Sequence, residues 1–437
     1  MSFRSPLPAL ALIALAVGPL PAAELPAAER AIVRAVDEGM PWALDLLQRT
    51  VDVPSATEDL EGVRRVGALY AEALAPLGFT SRWEEMPPEM RKAGHLIAER
   101  PGNRGARILL IGHLDTVLEG EPYRRDGDRA YGTGISDMKG GNLVLVAALR
   151  ALDAAGALEG RQVIVFLAGD EEETGRPYTV SRAALVEAAR RSDAALAFEG
   201  YVPGVAVTGR RGFSSWLLEV EGSQGHSSQI FGEERGSGAI FEAARILSAF
   251  HDELREPYLT YNPSLIVGGT EVENDPKEFS GRAVGKTNVV PRRVVVQGDL
   301  RFLSIEQRDR ARERMREIAA RNLPRTSAKI TFFEGMPAMS PTEGNQELLA
   351  RFDRVSRDLG TGPIVAHDPL ERGAADASFV SGVVPAAIDG LGAFGGNEHA
   401  PGEWIDLAGL PAIIQRAALL IYRLGEDSAE TPAAASR

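Results

Sequence analysis

The chain has 437 residues, with 61 Asp and Glu against 48 Lys and Arg, six His and no Cys, for a formal net charge of −13. At about 100–200 residues per domain this length suggests two or three domains with a large buried core, and 44% hydrophobic with 25% charged residues excludes a disordered, collagenous or polytopic membrane chain. Without a thiol there are no disulfides, thiolate nucleophiles or cysteine zinc sites, so any metal must sit on His, Asp and Glu; the acidic balance argues against nucleic-acid or anionic-membrane partners, which need clustered Lys and Arg.

Residues 1–23 carry one basic residue, Arg4, an apolar run over 7–17 and small residues at Ala22 and Ala23. This is the layout of a secretory signal peptide, and the run is shorter than the roughly 20 residues a bilayer span needs. The expectation is a mature protein starting near Glu24, secreted or periplasmic, with no stable membrane insertion after cleavage; an uncleaved N-terminal anchor is the alternative.

From 24 to 209, short apolar runs at 107–112, 162–168 and 194–198 read as buried strands, and 142–154 and 180–190 have helical spacing. Strands alternating with helices predict an α/β fold, a mainly parallel sheet with helices on both faces. Ligands on such a sheet collect at the carboxyl ends of its strands. The texture changes near 210: 213–221, 292–303 and 328–333 read as strands, 238–254 and 305–321 as helices. A β-α-β-β-α-β order predicts a ferredoxin-like α+β insert over 210–335. A helix at 347–359, a strand at 385–388 and a helix at 408–424 return to the first texture, and the small, polar 426–437 segment is expected to be a disordered tail. The predicted catalytic domain is thus 24–209 with 336–425, interrupted by the insert, with no internal repeat.

Several apolar segments end in polar clusters. His113 and Asp115 follow the first strand; two apart, they share one side of an extended chain, so Asp115 can hold one imidazole nitrogen while the other faces a metal. A hydrogen-bonded structural histidine is the alternative. Gly132-Thr133-Gly134-Ile135-Ser136-Asp137 leads into a helix. Asp137 stands where a dinucleotide loop has its third glycine, and no strand reads clearly into the segment, which rejects that loop. Asp137 is then an N-cap or a bridging ligand approached closely by glycine backbone. Asp170-Glu171-Glu172-Glu173 ends a buried strand; four adjacent carboxylates repel unless cations compensate them, or form a solvated acidic loop. Glu199 ends the next strand, and His399 lies in a late loop. Together two His and at least three carboxylates fall at one edge of one sheet. Two divalent cations would balance a bridging aspartate, two glutamates and a hydroxide, a combination that generates hydroxide at neutral pH, with the spare glutamate as proton shuttle.

The ordered set H-x-D, G-x-G-x-x-D-x-K-G-G, D-E-E and late His resembles the co-catalytic di-zinc metallopeptidases that include bacterial glutamate carboxypeptidase, aminoacylase, acetylornithine deacetylase and succinyl-diaminopimelate desuccinylase. The resemblance covers nearly all of the expected mature chain. It implies His113 and Glu199 on one metal, Glu172 and His399 on the other, Asp137 bridging, Glu171 as general base and Asp115 supporting His113. Counting back from Gly175 would instead make Glu172 the base and Glu173 the ligand; counting from the strand end is preferred, because the sheet fixes the site and the following loop absorbs an insertion. In the insert, His226 resembles a lid histidine that reaches the substrate carbonyl oxygen, from the neighbouring subunit in dimeric members. Asn288 and Arg301 resemble a carboxylate-binding pair, for which the planar guanidinium is suited; read alone, Arg301 is a strand-surface ion pair with Asp299. The loop 373–377 resembles one lining the substrate pocket. His95, His251 and His367 match no motif.

The resemblance implies two Zn²⁺, with Co²⁺ or Mn²⁺ as substitutes, a small peptide or N-acyl amino acid substrate cleaved at the amide next to a free carboxylate, and a homodimer through the insert. A dedicated N-acyl amino acid deacylase is the alternative, and a non-catalytic periplasmic binding protein the remote one. A serine hydrolase is disfavoured, since no G-x-S-x-G occurs.

Overall fold

The computed structural model describes residues 25–427; the expected signal segment and the tail from 428 onward lie outside them. The strands of the two large sheets are β1 (Thr80–Glu84), β2 (His95–Arg100), β3 (Arg104–His113), β4 (Arg161–Ala168), β5 (Ala194–Ala197), β6 (Gly212–Gly222), β7 (Thr260–Gly269), β8 (Arg293–Phe302), β9 (Thr326–Phe333) and β10 (Ala387–Ile388). The main helices are α1 (Ala27–Val51), α2 (Leu60–Leu74), α3 (Gly140–Ala154), α4 (Ala183–Arg190), α5 (Gly238–Glu253), α6 (Ile305–Ala320), α7 (Glu343–Asp358) and α8 (Leu410–Asp427).

The larger sheet has the order β1-β2-β4-β3-β5-β10. β3 runs parallel to β4 and β5, and β5 to β10, while β1-β2 and β2-β4 are antiparallel. Side-chain alternation splits the core in two. Ile108 and Leu110 of β3 join the core containing α1, α2, α3 and α8, and Leu109 and Ile111 join the one containing α4 and Val380. Each such buried side chain contributes roughly 1.5–3 kcal/mol, so a one-residue slip that exchanged the two faces is strongly disfavoured. His113, the last residue of β3, inherits that fixed register.

Helix α3 has almost no polar face, as a helix covered on all sides should; Leu143, Val144, Leu145 and Val146 are all fully buried. Gly141 in its first turn lets it approach the Glu199 strand end: a Cβ there would meet the Phe198 carbonyl oxygen at 2.0 Å. The predicted 180–190 helix is broken. Tyr178–Ser181 and α4 are separate, because Arg182, 1% exposed, turns inward between Asp170 and Asp376. The last helix also runs further than expected. Glu426 is helical and pairs with Arg104 and Arg161, so 426–427 are not tail.

The four-stranded sheet is antiparallel in the order β7-β8-β6-β9, with α5 and α6 closing a core around Trp216, Leu218, Ile246, Phe250, Met315 and Ile318. Its chain order is the predicted β-α-β-β-α-β. An unforeseen hairpin, Glu271–Asp275 with Ser280–Val284, sits between β7 and β8. A three-residue strand, Arg129–Tyr131, does precede Gly132, but it belongs to a small sheet with Trp404–Asp406. Among the described residues no helix is long and apolar enough to cross a membrane.

Candidate metal centre

The carboxyl edge of the parallel strands is where the polar clusters meet. His113 ends β3, the 170–173 run follows β4, and Glu199 follows β5. Asp137 comes from the irregular turn before α3, and His399 from the loop before Trp404. His113 Nε2 lies 3.0 Å from Asp137 Oδ1 and 4.0 Å from Glu199 Oε1. His399 Nε2 lies 3.0 Å from the other Asp137 oxygen, Oδ2, and 3.2 Å from Glu172 Oε2. Ligand atoms of His113, Asp137 and Glu172 all fall within 4.8 Å of one another. Glu172 Oε1 is buried and has no hydrogen-bond partner. A buried carboxylate oxygen left without a donor, among imidazoles and further carboxylates, fits a divalent cation.

Backbone and side chains set these positions. Leu114 N–H donates to the Ala168 carbonyl and Asn142 Nδ2 to the His113 carbonyl. His113 Nδ1 bonds the main-chain oxygen of Asp115 at 3.0 Å, with the Asp115 carboxylate at 3.5 Å. That carboxylate instead accepts the N–H groups of Glu171 and Glu172 at 3.0 and 3.1 Å and the Thr57 hydroxyl at 2.7 Å. Asp115 therefore aims the acidic loop as well as flanking the imidazole. Behind that loop, Asp170 accepts from Gly175 N, Ser181 Oγ and Arg182, and Arg182 also donates to Asp376.

Burial pushes Glu171 and Glu199 well above the ordinary carboxylate range and Glu172 up to about 8, with neighbouring carboxylates adding to each. Burial also acts to lower His113, but the Asp115 and Asp137 carboxylates lift it well above the usual imidazole value. The hydrogen bond to Asp137 raises His399 to about 9. Glu172 and His399 both keep a proton when folded at pH values where the unfolded chain has released it. Their stabilisation is complete below their unfolded values and is lost as pH rises toward about 8 and 9. In chelator, Tm is therefore expected to fall between about pH 6.5 and 8, and added Zn²⁺ to reverse the fall; a flat or rising Tm contradicts this.

Four adjacent carboxylates have different fates. Glu172 faces His399, whereas Glu173 points outward to Lys92 at 2.9 Å with its side chain 68% exposed. Exposed ion pairs are worth at most about 1 kcal/mol, so Glu173→Gln should leave metal content unchanged and turnover within about threefold. A loss of a bound ion in that variant would transfer the ligand role to Glu173.

Beside the cluster lies a cleft of about 690 Å³ whose lining includes Glu171, Glu172, His399, Lys92, Tyr178, Phe213 and Met336. Phe213, on β6, pairs across the sheet with Arg301 on β8. The Arg301 guanidinium is held by Asp299 at 2.9 Å and is not part of the cluster. His226 is exposed, bonded to Ser228, and bridges to Val289 next to Asn288, whose carbonyl accepts Ser227 N–H. The Asn288 and His226 loops are thus together, apart from the contacts of the cluster. His95 is fully buried between the Ser181 carbonyl and Gly169 N–H, and His251 is exposed. One residue without a sequence signal stands out: Glu403, 5% exposed, accepts three backbone N–H groups of the Asp137 turn.

Paired imidazoles and buried carboxylates at the carboxyl edge of a mainly parallel sheet, opening on a cleft, define a metal-dependent hydrolase. Residues 109–423 match the model described as Peptidase family M20/M25/M40, and the chain belongs to that family; it is a metal-dependent enzyme that hydrolyses amide bonds. It is 25% identical to carboxypeptidase G2 of Pseudomonas sp. (strain RS-16), with 91% of this chain and 92% of that one covered. It is 29% identical to succinyl-diaminopimelate desuccinylase of Methylobacterium radiotolerans, covering 84% and 93%. Its fold is similar to that of aminopeptidase PepT from Bacillus cereus, with a TM-score of 0.69 at 17% identity, covering 87% and 98%.

Proposed function

We propose that the chain is a carboxypeptidase-like hydrolase that uses two zinc ions to cleave the amide bond next to a free carboxylate in small peptides or N-acyl amino acids. The single observation that carries the reading is that the two imidazoles, His113 and His399, face different oxygens of one carboxylate, Asp137. In this reading His113 and Glu199 would hold one ion and Glu172 and His399 the other, with Asp137 shared between them. When bound, the ions supply Lewis acidity, acidifying water and drawing charge from the scissile carbonyl.

The remaining work falls to protein groups. Glu171 takes a proton from the attacking water and returns it to the leaving nitrogen. Its carboxyl is suited to both steps because burial raises its proton affinity. Asp115 keeps Glu171 and Glu172 on station through their N–H groups. Arg301 exchanges Asp299 for the substrate carboxylate, His226 donates to the developing oxyanion, and Asn288, which precedes the opposite end of β8 from Arg301, acts from the His226 loop. Residues 210–335 act as lid and dimerisation domain, and 24–209 with 336–425 as catalytic domain. Export by residues 1–23 places this chemistry in the periplasm or outside the cell.

Matched dipeptides and N-acyl amino acids sharing one C-terminal residue, each with a free and an amidated terminus, test the reading. Dipeptides with a free carboxylate should be turned over fastest, and amidation should lower kcat/KM by about a hundredfold, the scale of a lost charge-assisted pair. Preference for the N-acyl series would establish a deacylase instead, and indifference to amidation would remove the carboxylate from recognition.

A further inference from the structure

The two proposed metal positions are not anchored alike. His113 closes a strand buried on both faces, its carbonyl is held by Asn142, and its ring rests on Asp115. Glu199 directly continues the strand β5 region, with its N–H on Asp389. His399 has no such support. Its side chain is 53% exposed, its φ of 60° is left-handed, and among the described residues its ring makes ion-pair contacts to Asp137 and Glu172 alone.

Four residues on, Glu403 ties this loop to the rest. Its Oε2 accepts Gly134 N–H at 2.6 Å, and its Oε1 accepts Ser136 and Asp137 N–H at 2.7 and 2.9 Å. Its own carbonyl accepts Gly132 N–H at 3.1 Å, and Trp404 pairs with Tyr131. Gly134 has φ +71°, a conformation that turns its N–H to the carboxylate, and a Cβ there would strike Thr116 at 2.2 Å. Among the described residues no cation lies within salt-bridge distance of this carboxylate; buried Lys139, near enough to feel its charge, donates to the Val53 carbonyl. A buried carboxylate that no cation contacts directly is a costly way to satisfy three N–H groups. Glutamine could not replace it, since one amide oxygen cannot serve donors arriving on both sides.

We propose that Glu403 is a positioning residue that holds Asp137 against the His399 loop, and so governs the metal position faced by His399 and Glu172 selectively over the one faced by His113 and Glu199. Groups that orient metal ligands typically change affinity by about 10–100-fold when lost. Here the change falls on one of two ions.

The inference rests on the two-ion reading, and the test separates the two. Metal-free full-length protein is titrated with Zn²⁺ by calorimetry and with Co²⁺ by visible absorption, for wild type, Glu403→Gln and Glu403→Asp. His399→Ala marks which step belongs to its position, and Glu173→Gln serves as a surface control. The expected result is two ions in wild type. In Glu403→Gln the His399-linked step should weaken by about 10–100-fold with a changed Co²⁺ spectrum, while the other step stays within about threefold; Glu403→Asp should be intermediate. If the glutamine variant does not fold, as judged by the melt of the metal-free protein, the aspartate variant carries the comparison. Equal weakening of both steps, or of neither, overturns the selective role of Glu403. One ion per wild-type chain overturns the two-ion reading itself.

Discussion

Replacing Glu171 by glutamine should lower amide turnover by about 10²–10⁴-fold, the usual cost of losing a general base, while leaving metal content at its wild-type level. Glu171 and Glu172 are adjacent, yet their surroundings differ. Glu172 reaches His399, whereas the half-buried Glu171 carboxyl lines the cleft, where burial and the charges of Glu199, Asp376 and Asp137 raise its proton affinity against the pull of His113. The main chain around it is pinned: its N–H goes to Asp115, its carbonyl accepts the Thr174 hydroxyl, and Asp170 before it is locked to Arg182. Glutamine keeps the volume and removes only the exchangeable proton site. Kinetics and metal analysis of the same preparation check it. Residual activity above about a hundredth of wild type, or loss of a bound ion, would remove Glu171 from the proton-transfer role.

Asp137→Ala should be more severe, with metal affinity falling by at least about 10–100-fold and turnover by about 10³-fold or more, equivalent to some 4 kcal/mol of barrier. The side chain offers one oxygen to each imidazole, and among the described residues no other carboxylate forms an ion pair with both. Its hydrogen bonds from His113 and His399 overcome burial and hold its pKa below the ordinary carboxylate value, so it stays charged at neutral pH, as a bridging ligand needs to be. In the proposed two-ion reading, its loss would leave two cations close together without their shared anion, each repelling the other. Calorimetric titration and turnover assays check the two parts. A variant that still bound two ions at wild-type affinity would contradict the bridging role.

Much of this is legible in the sequence. β3, β4 and β5 announce themselves because strands buried on both faces read as continuous apolar runs, and the polar residues that follow them necessarily land at one sheet edge. What escaped depends on contacts distant in sequence. Nothing near Arg182 signals a helix break; the break exists because Asp170 and Asp376, far apart in the chain, draw the guanidinium inward. The contrast between Glu172 and Glu173 is invisible in a run of identical charges, since it is decided by His399 and Lys92. Glu403 gave no signal at all, because its partners are backbone N–H groups, which carry no residue identity. The two-residue spacing predicts Asp115 as the imidazole's partner, and its carboxylate does flank His113 Nδ1 at 3.5 Å; the closer contact of the main-chain oxygen and the hold of the carboxylate on the acidic loop carry no sequence signal.

In the proposed function, this His and carboxylate cluster holds the metal that drives amide hydrolysis. The most direct test is stepwise return of Zn²⁺ to chelator-treated protein, with turnover of a free-carboxylate dipeptide recorded at each addition. The expected result is an inactive metal-free protein whose activity saturates at two ions per chain. Full turnover in the metal-free protein, or metal uptake that leaves turnover unchanged, would contradict the account.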